Sequence, residues 1–138
     1  MSQKQTTLVL IKPDGVRRGL IGAILGRIEA KGYVLDDIRI LQATEEQLAA
    51  HYHEHVGKPF YPGIVRYMMS GPLVAVRVSG YRVIEGVRTL SGATDPTTAA
   101  PGTIRGDFGY DTGSDAIENL IHSSDSQESA ELELAVWF

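Results

Sequence analysis

With 138 residues, 43% of them hydrophobic and 22% charged, the chain has the composition of one folded domain rather than of a disordered segment. Its formal charge of −4 excludes a general surface for nucleic acid or anionic membrane, so an anionic ligand must be held by a local cluster of its thirteen Lys and Arg residues. The lack of cysteine excludes a disulfide framework, a thiolate metal site and a cysteine nucleophile, and runs such as LVLI and PLVAV are too short to cross a bilayer.

In chain order, TTLVLIK (residues 6–12) is β-branched and apolar and predicts a first strand ending at Lys12, followed by the proline-led turn KPDG. GLIGAILGRIEAKG spaces Leu20, Ile21, Ile24, Leu25 and Ile28 on one helical face and closes at Gly32. YVLDDIRILQA reads as a second strand. Thr44 with Gln47 makes a capping box for a helix over TEEQLAAHYHEH. KPFYPGIVRYMMSG predicts a loop and a helix that stops at Gly71, PLVAVRVSG a strand, and Tyr81 to Leu90 a helix. From Ser91 to about Glu118 the composition turns to Gly, Thr, Asp, Pro and Ala, which predicts a long loop. NLIH is a short last strand, and SDSQESAELELAVWF a last helix, opened by a capping box of Ser124 with Gln127 or of Asp125 with Glu128. The order βαβ, extra helices, then βαβα predicts a split ferredoxin-like sandwich, its sheet covered on one face by helices. The long connection exceeds the usual roughly 4–6 residues, and such loops are more often functional than idle.

The motifs of P-loop NTPases, of dinucleotide-binding folds and of nucleophile-elbow hydrolases are absent. His122, Ser123, Ser124 and Asp125 are neighbours in sequence, which does not make a hydrolase triad, because triads are assembled from separated segments. HYHEH puts His51 and His55 at i and i+4, a spacing that can hold a metal, yet no third ligand is evident and a histidine-rich surface helix explains it as well. Beside His122 the last helix opens its free N–H groups, a place where an anion is welcome. On spacing alone His122 is either a histidine bonded to backbone or a nucleophile. Arg88, Thr94, Thr103 and Arg105 stand in or next to the long loop, and Lys12 ends the first strand; together they form a set suited to phosphate oxygens.

TLVLIKPDGVRRGLIG, HYxEHxGKPFY, SGPLVA, GATDP, PGTIRGDF and NLIHxSDSxESAExE…WF follow one another from about Thr7 to Phe138. This ordered set resembles the nucleoside diphosphate kinases. The resemblance implies one domain over residues 1–138 with an α+β, ferredoxin-like βαββαβ sandwich and a four-stranded antiparallel sheet. It also implies transfer of the γ-phosphate of a nucleoside triphosphate, typically ATP, to another nucleoside diphosphate, in ping-pong fashion through a phosphohistidine, with Mg²⁺ on the nucleotide. Carried over by motif, His122 would accept the phosphate, Glu133 would bond its other ring nitrogen, and Ser124 would order it. Lys12 and Asn119 would contact the ribose, and Lys12 also the transferred phosphate. Tyr52, His55, Arg88, Thr94 and Arg105 would surround the phosphates, Phe60 would stack on the base, and Asp125 would hold Mg²⁺ through water. A homo-oligomer, tetramer or hexamer, is implied, packed through the loop with Asp95 and Pro96. No membrane and no obligate nucleic acid enters this reading, and the N-terminus lacks a signal-peptide pattern, which predicts a cytoplasmic protein.

Two departures from the family pattern stand out. Ser123 replaces the glycine expected after the histidine, where a side chain could narrow the approach to the phosphate. FGYDTGSDAIEN is a few residues longer than the usual link between GDF and Asn119. The competing reading is a non-catalytic nucleotide-binding regulator on the same sandwich, which would not need both His122 and Glu133.

Overall fold

In the computed structural model, which describes residues 2–138, four strands form one antiparallel sheet in the order β2-β3-β1-β4. The strands are β1 (Lys4–Ile11), β2 (Val34–Leu41), β3 (Leu73–Tyr81) and β4 (Ile121–Ser123). This is the ferredoxin-like arrangement expected from the element order. The helices are α1 (Pro13–Arg17), α2 (Ile21–Lys31), α3 (Glu45–His51), α4 (Tyr61–Met68), α5 (Val83–Ser91), α6 (Ile104–Phe108) and α7 (Gln127–Trp137). None of them is long and apolar enough to cross a membrane.

The central strands β1 and β3 are apolar on both sides because both faces of the sheet are covered. Val9, Ile11, Val74, Val76 and Val78 pack with Ile24 and Ile28 of α2 and Val83 and Val87 of α5. Their neighbours Leu8, Leu10, Leu73 and Ala75 point the other way and pack with Leu48 of α3, Met68 of α4 and Trp137 of α7. Helices therefore cover two faces, not the single face expected. The continuous run LVLI carries that information, since a half-exposed strand would alternate with period two. The edge strand β2 leaves Val34, Ile38 and Ile40 open, at 56%, 46% and 66% exposure.

Several ends are set as the residues require. Helix α2 stops at Gly32, whose φ of 112° is left-handed, and the Thr44–Gln47 capping box opens α3 in both directions. The first strand ends one residue before Lys12, because Pro13 turns KPDG into the first residues of α1. Helix α4 ends at Met68, short of Gly71. Helix α3 ends at His51, after which the chain turns with His55 N donating to Tyr52 O at 2.7 Å. His51 and His55 therefore do not share a helix face. The cap of α7 is Ser126, whose hydroxyl accepts from Ser129 N at 3.0 Å; neither expected box forms, because the Ser124 hydroxyl is turned to Glu133.

The stretch read as loop contains α6, capped by the Thr103 hydroxyl accepting from Gly106 N at 3.0 Å. At Gly106 the chain passes so close to Ala100 that a Cβ would lie 1.9 Å from that residue's carbonyl oxygen. Gly106→Ala should therefore force the loop apart, at about 2 kcal/mol, and lower Tm by roughly 4–8 °C in calorimetry; an unchanged Tm would contradict this close passage.

Candidate active site

His122 owes its direction to strand pairing. It lies opposite Leu10 of β1, and residues paired across antiparallel strands share a face, so its ring is turned toward α3 and α7. On α7, Glu133 and Trp137 are four residues apart and project together. A Glu133 carboxylate oxygen lies 2.7 Å from His122 Nε2 and also accepts from the Ser124 hydroxyl at 2.7 Å. Ser124 is itself held by its amide donating to Leu8 O at 3.2 Å. An ionised carboxylate only accepts, so Nε2 carries the proton and Nδ1 keeps its lone pair. Burial pushes the His122 imidazolium below the usual histidine range; Glu133 opposes that shift, and Lys12 and Arg105 add to it. The ring is neutral at neutral pH and is a competent nucleophile at Nδ1.

Around His122 lies a cavity of about 320 Å³, and most of the residues anticipated from sequence border it: Lys12, Tyr52, Arg88, Thr94, Arg105, Asn119, Asp125 and Glu133. Lys12 Nζ donates to Asn119 Oδ1 at 2.8 Å, and Asn119 Nδ2 donates to Thr94 O at 3.0 Å, so three segments are tied at one wall. Burial, then the nearby Arg105 charge, brings Lys12 down to about 8, with Asp14 pulling the other way. Arg105 gives hydrogen bonds to the carbonyls of Asn119, Gly92 and Ile121 at 3.1, 2.9 and 2.5 Å, and burial lowers it to about 10. It braces the loop with three of its five N–H bonds and keeps two for a ligand. Tyr52 is raised by burial and stays a phenol that can donate. Ser124 sits beneath the cavity rather than on its wall, fully buried.

His55 and Phe60 stand beside the cavity rather than on its wall. Tyr52 stacks on His55 with centroids 6.1 Å apart, and His55 meets Phe60 edge-on at 5.2 Å. Phe60 is 53% exposed, an aromatic face that the protein leaves uncovered. Ser123 faces away from His122, since it pairs with Val9 on the other side of the sheet, and its carbonyl accepts from Arg88 at 3.3 Å. Its side chain is buried there, at the margin of the cavity and not over the imidazole.

Sequence reasoning missed what His51 does. It packs edge-to-face on His122 with centroids 4.5 Å apart, and its Nδ1 accepts from the Trp137 indole at 3.0 Å. His51, His122 and Glu133 bring potential ligand atoms within 4.8 Å of one another. They do not make a metal site: Trp137 occupies the only lone pair of His51, whose Nε2 bears the proton. Burial, with His122 and Lys12 close by, drives His51 down to about 2. The fixed spacing of Glu133 and Trp137 on one helix was the available signal.

A family profile described as nucleoside diphosphate kinase matches residues 5–138. The chain is 56% identical over 135 residues to a nucleoside diphosphate kinase of Streptomyces avermitilis, covering 97% of this chain and 96% of that protein. It is 50% identical over 137 residues to one of Saccharomyces cerevisiae, covering 99% and 87%. Among solved structures it resembles a halophilic nucleoside diphosphate kinase from Halobacterium salinarum in complex with CDP (TM-score 0.91, 45% identity, 99% of this chain and 88% of that one). It also resembles a transition-state mimic of the Borrelia burgdorferi enzyme with bound vanadate and ADP (TM-score 0.90, 37% identity, 98% and 87%).

His51 sets a pH dependence of stability. Its folded-state pKa is depressed, so below the ordinary value of 6.5 the unfolded chain takes up the proton first and stability falls as pH falls. Between pH 6.5 and 5 this term removes about 2 kcal/mol. His51→Gln, which keeps an acceptor for Trp137 but does not titrate, should remove the His51 share of the fall in urea titrations and leave the share of His122, which burial also depresses; parallel curves for the two proteins would contradict it.

Proposed function

Since the chain belongs to the nucleoside diphosphate kinase family and is an enzyme of that type, moving the γ-phosphate of a nucleoside triphosphate to a nucleoside diphosphate, we propose that His122 Nδ1 is the atom that carries the phosphate. The observation that supports this most is the 2.7 Å bond from His122 Nε2 to Glu133, which leaves Nδ1 unprotonated beside a cavity bordered by Lys12, Arg88 and Arg105. In the first half-reaction Nδ1 forms a bond to the γ-phosphorus. The bond to the β–γ bridging oxygen breaks, and the nucleoside diphosphate leaves with that electron pair. In the second, a terminal oxygen of another diphosphate attacks the phosphorus and Nδ1 recovers its lone pair. The Nε2 proton stays on the ring throughout, and the Glu133 charge stabilises the imidazolium formed in between.

Lys12, Tyr52, Arg88, Thr94 and Arg105 are assigned to the phosphates, with His55 beside them, and Lys12 and Asn119 to the ribose. Phe60 is assigned to the base: stacking on an open ring is tolerant of base identity, which suits an enzyme that serves all nucleotides. Catalysis of this kind is chiefly positioning and charge neutralisation. Ser124 contributes by holding Glu133.

The donor set suits Mg²⁺ bound mainly by phosphates and water. Asp125 is an exposed carboxylate on the cavity wall, held ionised by the Ser129 and Ser126 hydroxyls and by the Arg88 charge. One carboxylate cannot cage the ion, but it can hold one of its waters. When bound, Mg²⁺ would neutralise charge on the nucleotide phosphates. We also assign a homo-oligomer, with a second copy of the chain covering the open apolar edge strand β2, and a cytoplasmic place among the nucleotide pools.

The test is to mix the protein with γ-labelled ATP and Mg²⁺ without acceptor. Base-stable, acid-labile label should appear on the wild type, chase onto added GDP, and be absent from His122→Ala. Glu133→Gln should slow the chase roughly 10²-fold. Nucleotide binding without label on the wild type would sink the assignment.

A further inference from the structure

Asp14, in the first turn of α1, is a buried carboxylate that the reaction as described does not use; it is 5% exposed. The Tyr67 hydroxyl of α4 donates to its Oδ1 at 2.6 Å, and the backbone N–H of Leu120 donates to its Oδ2 at 3.2 Å. Leu120 also accepts from Lys12 N at 2.8 Å, so it is held from both sides. Its φ is +73°, a left-handed backbone that a leucine adopts only under constraint. This bend lies between Asn119 and His122, and on its other side the Lys12 ammonium sits 5.6 Å from the centre of the Tyr67 ring. Tyr67 of α4 thus holds Asp14 of α1, and Asp14 holds the left-handed residue that leads into the strand carrying His122.

We propose that Asp14, oriented by Tyr67, is a positioning residue for phosphoryl transfer. It fixes the turn at Leu120 that carries Asn119 and His122 to the cavity, and it supplies the negative charge that keeps Lys12 an ammonium. This rests on the assignment of Lys12 to the phosphates. The groups facing Lys12 come from every neighbouring element: Asp14 from α1, His51 from α3, Tyr67 from α4, Arg105 from α6, Asn119 from the loop and His122 from β4. Arg88 of α5, Asp125 and Glu133 of α7 border the same cavity. Glu133 and Asp125 are directed at His122, Ser124 and the serines at the start of α7, and Asp14 is the carboxylate whose charge raises Lys12. Its effect on Lys12 is upward, against burial and Arg105, with the balance at about 8.

The sign of the test follows. A lysine with Asp14 beside it loses its proton near pH 8, and without that charge it loses it at lower pH. Asp14→Asn can keep its oxygen for the Leu120 N–H and aim its amide at the Tyr67 oxygen, which removes the acceptor of the Tyr67 hydroxyl together with the charge. Rates of phosphohistidine formation would be followed from pH 6 to 10 on folded protein. Asp14→Asn should move the alkaline fall toward neutrality by about one pH unit. Tyr67→Phe keeps the charge and should leave the fall in place while lowering the rate at pH 6.5 several-fold. An alkaline fall unmoved in Asp14→Asn overturns the inference, provided Lys12→Gln is inactive. Full activity in Lys12→Gln would instead overturn the assignment of Lys12, and the inference with it. If Asp14→Asn does not fold, Tyr67→Phe decides alone, and a wild-type rate there refutes the positioning role.

Discussion

One carboxylate oxygen organises this molecule's chemistry. Glu133 accepts from His122 Nε2 and from the Ser124 hydroxyl on the same atom, and both bonds are 2.7 Å. This convergence sets the tautomer of the imidazole, and through Ser124 it ties α7 to β1 and β4. Without the carboxylate, burial would leave His122 a weaker base and free to choose either tautomer. The other constraints arrange themselves around it: the pairing of Leu10 with His122 aims the ring, and Trp137, one helical turn from Glu133, fixes the histidine behind it. A histidine held in one tautomer, aimed at the cavity and open on one nitrogen is thus obtained from strand register and helix spacing.

The electrostatics are local, as the acidic composition requires. Lys12, Arg88 and Arg105 border one cavity in a chain of net charge −4; Lys12 is weakened as a cation by burial and by Arg105, and Arg105 by burial and by Arg88. That weakening is the cost of assembling positive charge ahead of its ligand. Any anion entering the cavity would relieve it, so part of the mutual repulsion would become affinity for that anion. Arg105 limits the cost by giving three hydrogen bonds to backbone carbonyls, which present partial negative charge and hold the loop at the same time.

Much of this was legible in the sequence where a local rule operates. Gly32 ends α2 and Thr44 opens α3 because a left-handed cap and a capping box are decided within four residues. The motif set brings His122, Glu133, Lys12, Asn119 and Arg105 together, and all five border the one cavity. What escaped depends on contacts that no short window contains. Asp14 meets Tyr67 across 53 residues and Leu120 across 106. KPDG looks like a turn because Pro and Asp serve turns and helix starts equally well. HYHEH looked like one helix face because its periodicity is intact, but the helix ends at His51 and the histidines part. The second helical layer was hidden because an apolar run reports burial without saying what buries it.

The extra residues between α6 and Asn119 show why a departure beside a site need not disturb it. The Gly113 amide donates to Asp111 at 2.8 Å, and Thr112 and Ser114 both donate to Glu118 Oε2 at 3.1 Å. Glu118 in turn accepts from Arg17 at 3.0 Å, and Arg17 also bonds Ser70. The insertion therefore satisfies its own polar groups and closes on itself before the chain reaches the site. Lengthening a loop costs little in closure entropy once its ends are pinned. Here the downstream end is pinned twice, by Glu118 on Arg17 and by Asn119 on Lys12 and Thr94. The position of His122 is set by β1 and by that pinned end, so residues added upstream of Glu118 leave its geometry as it stands.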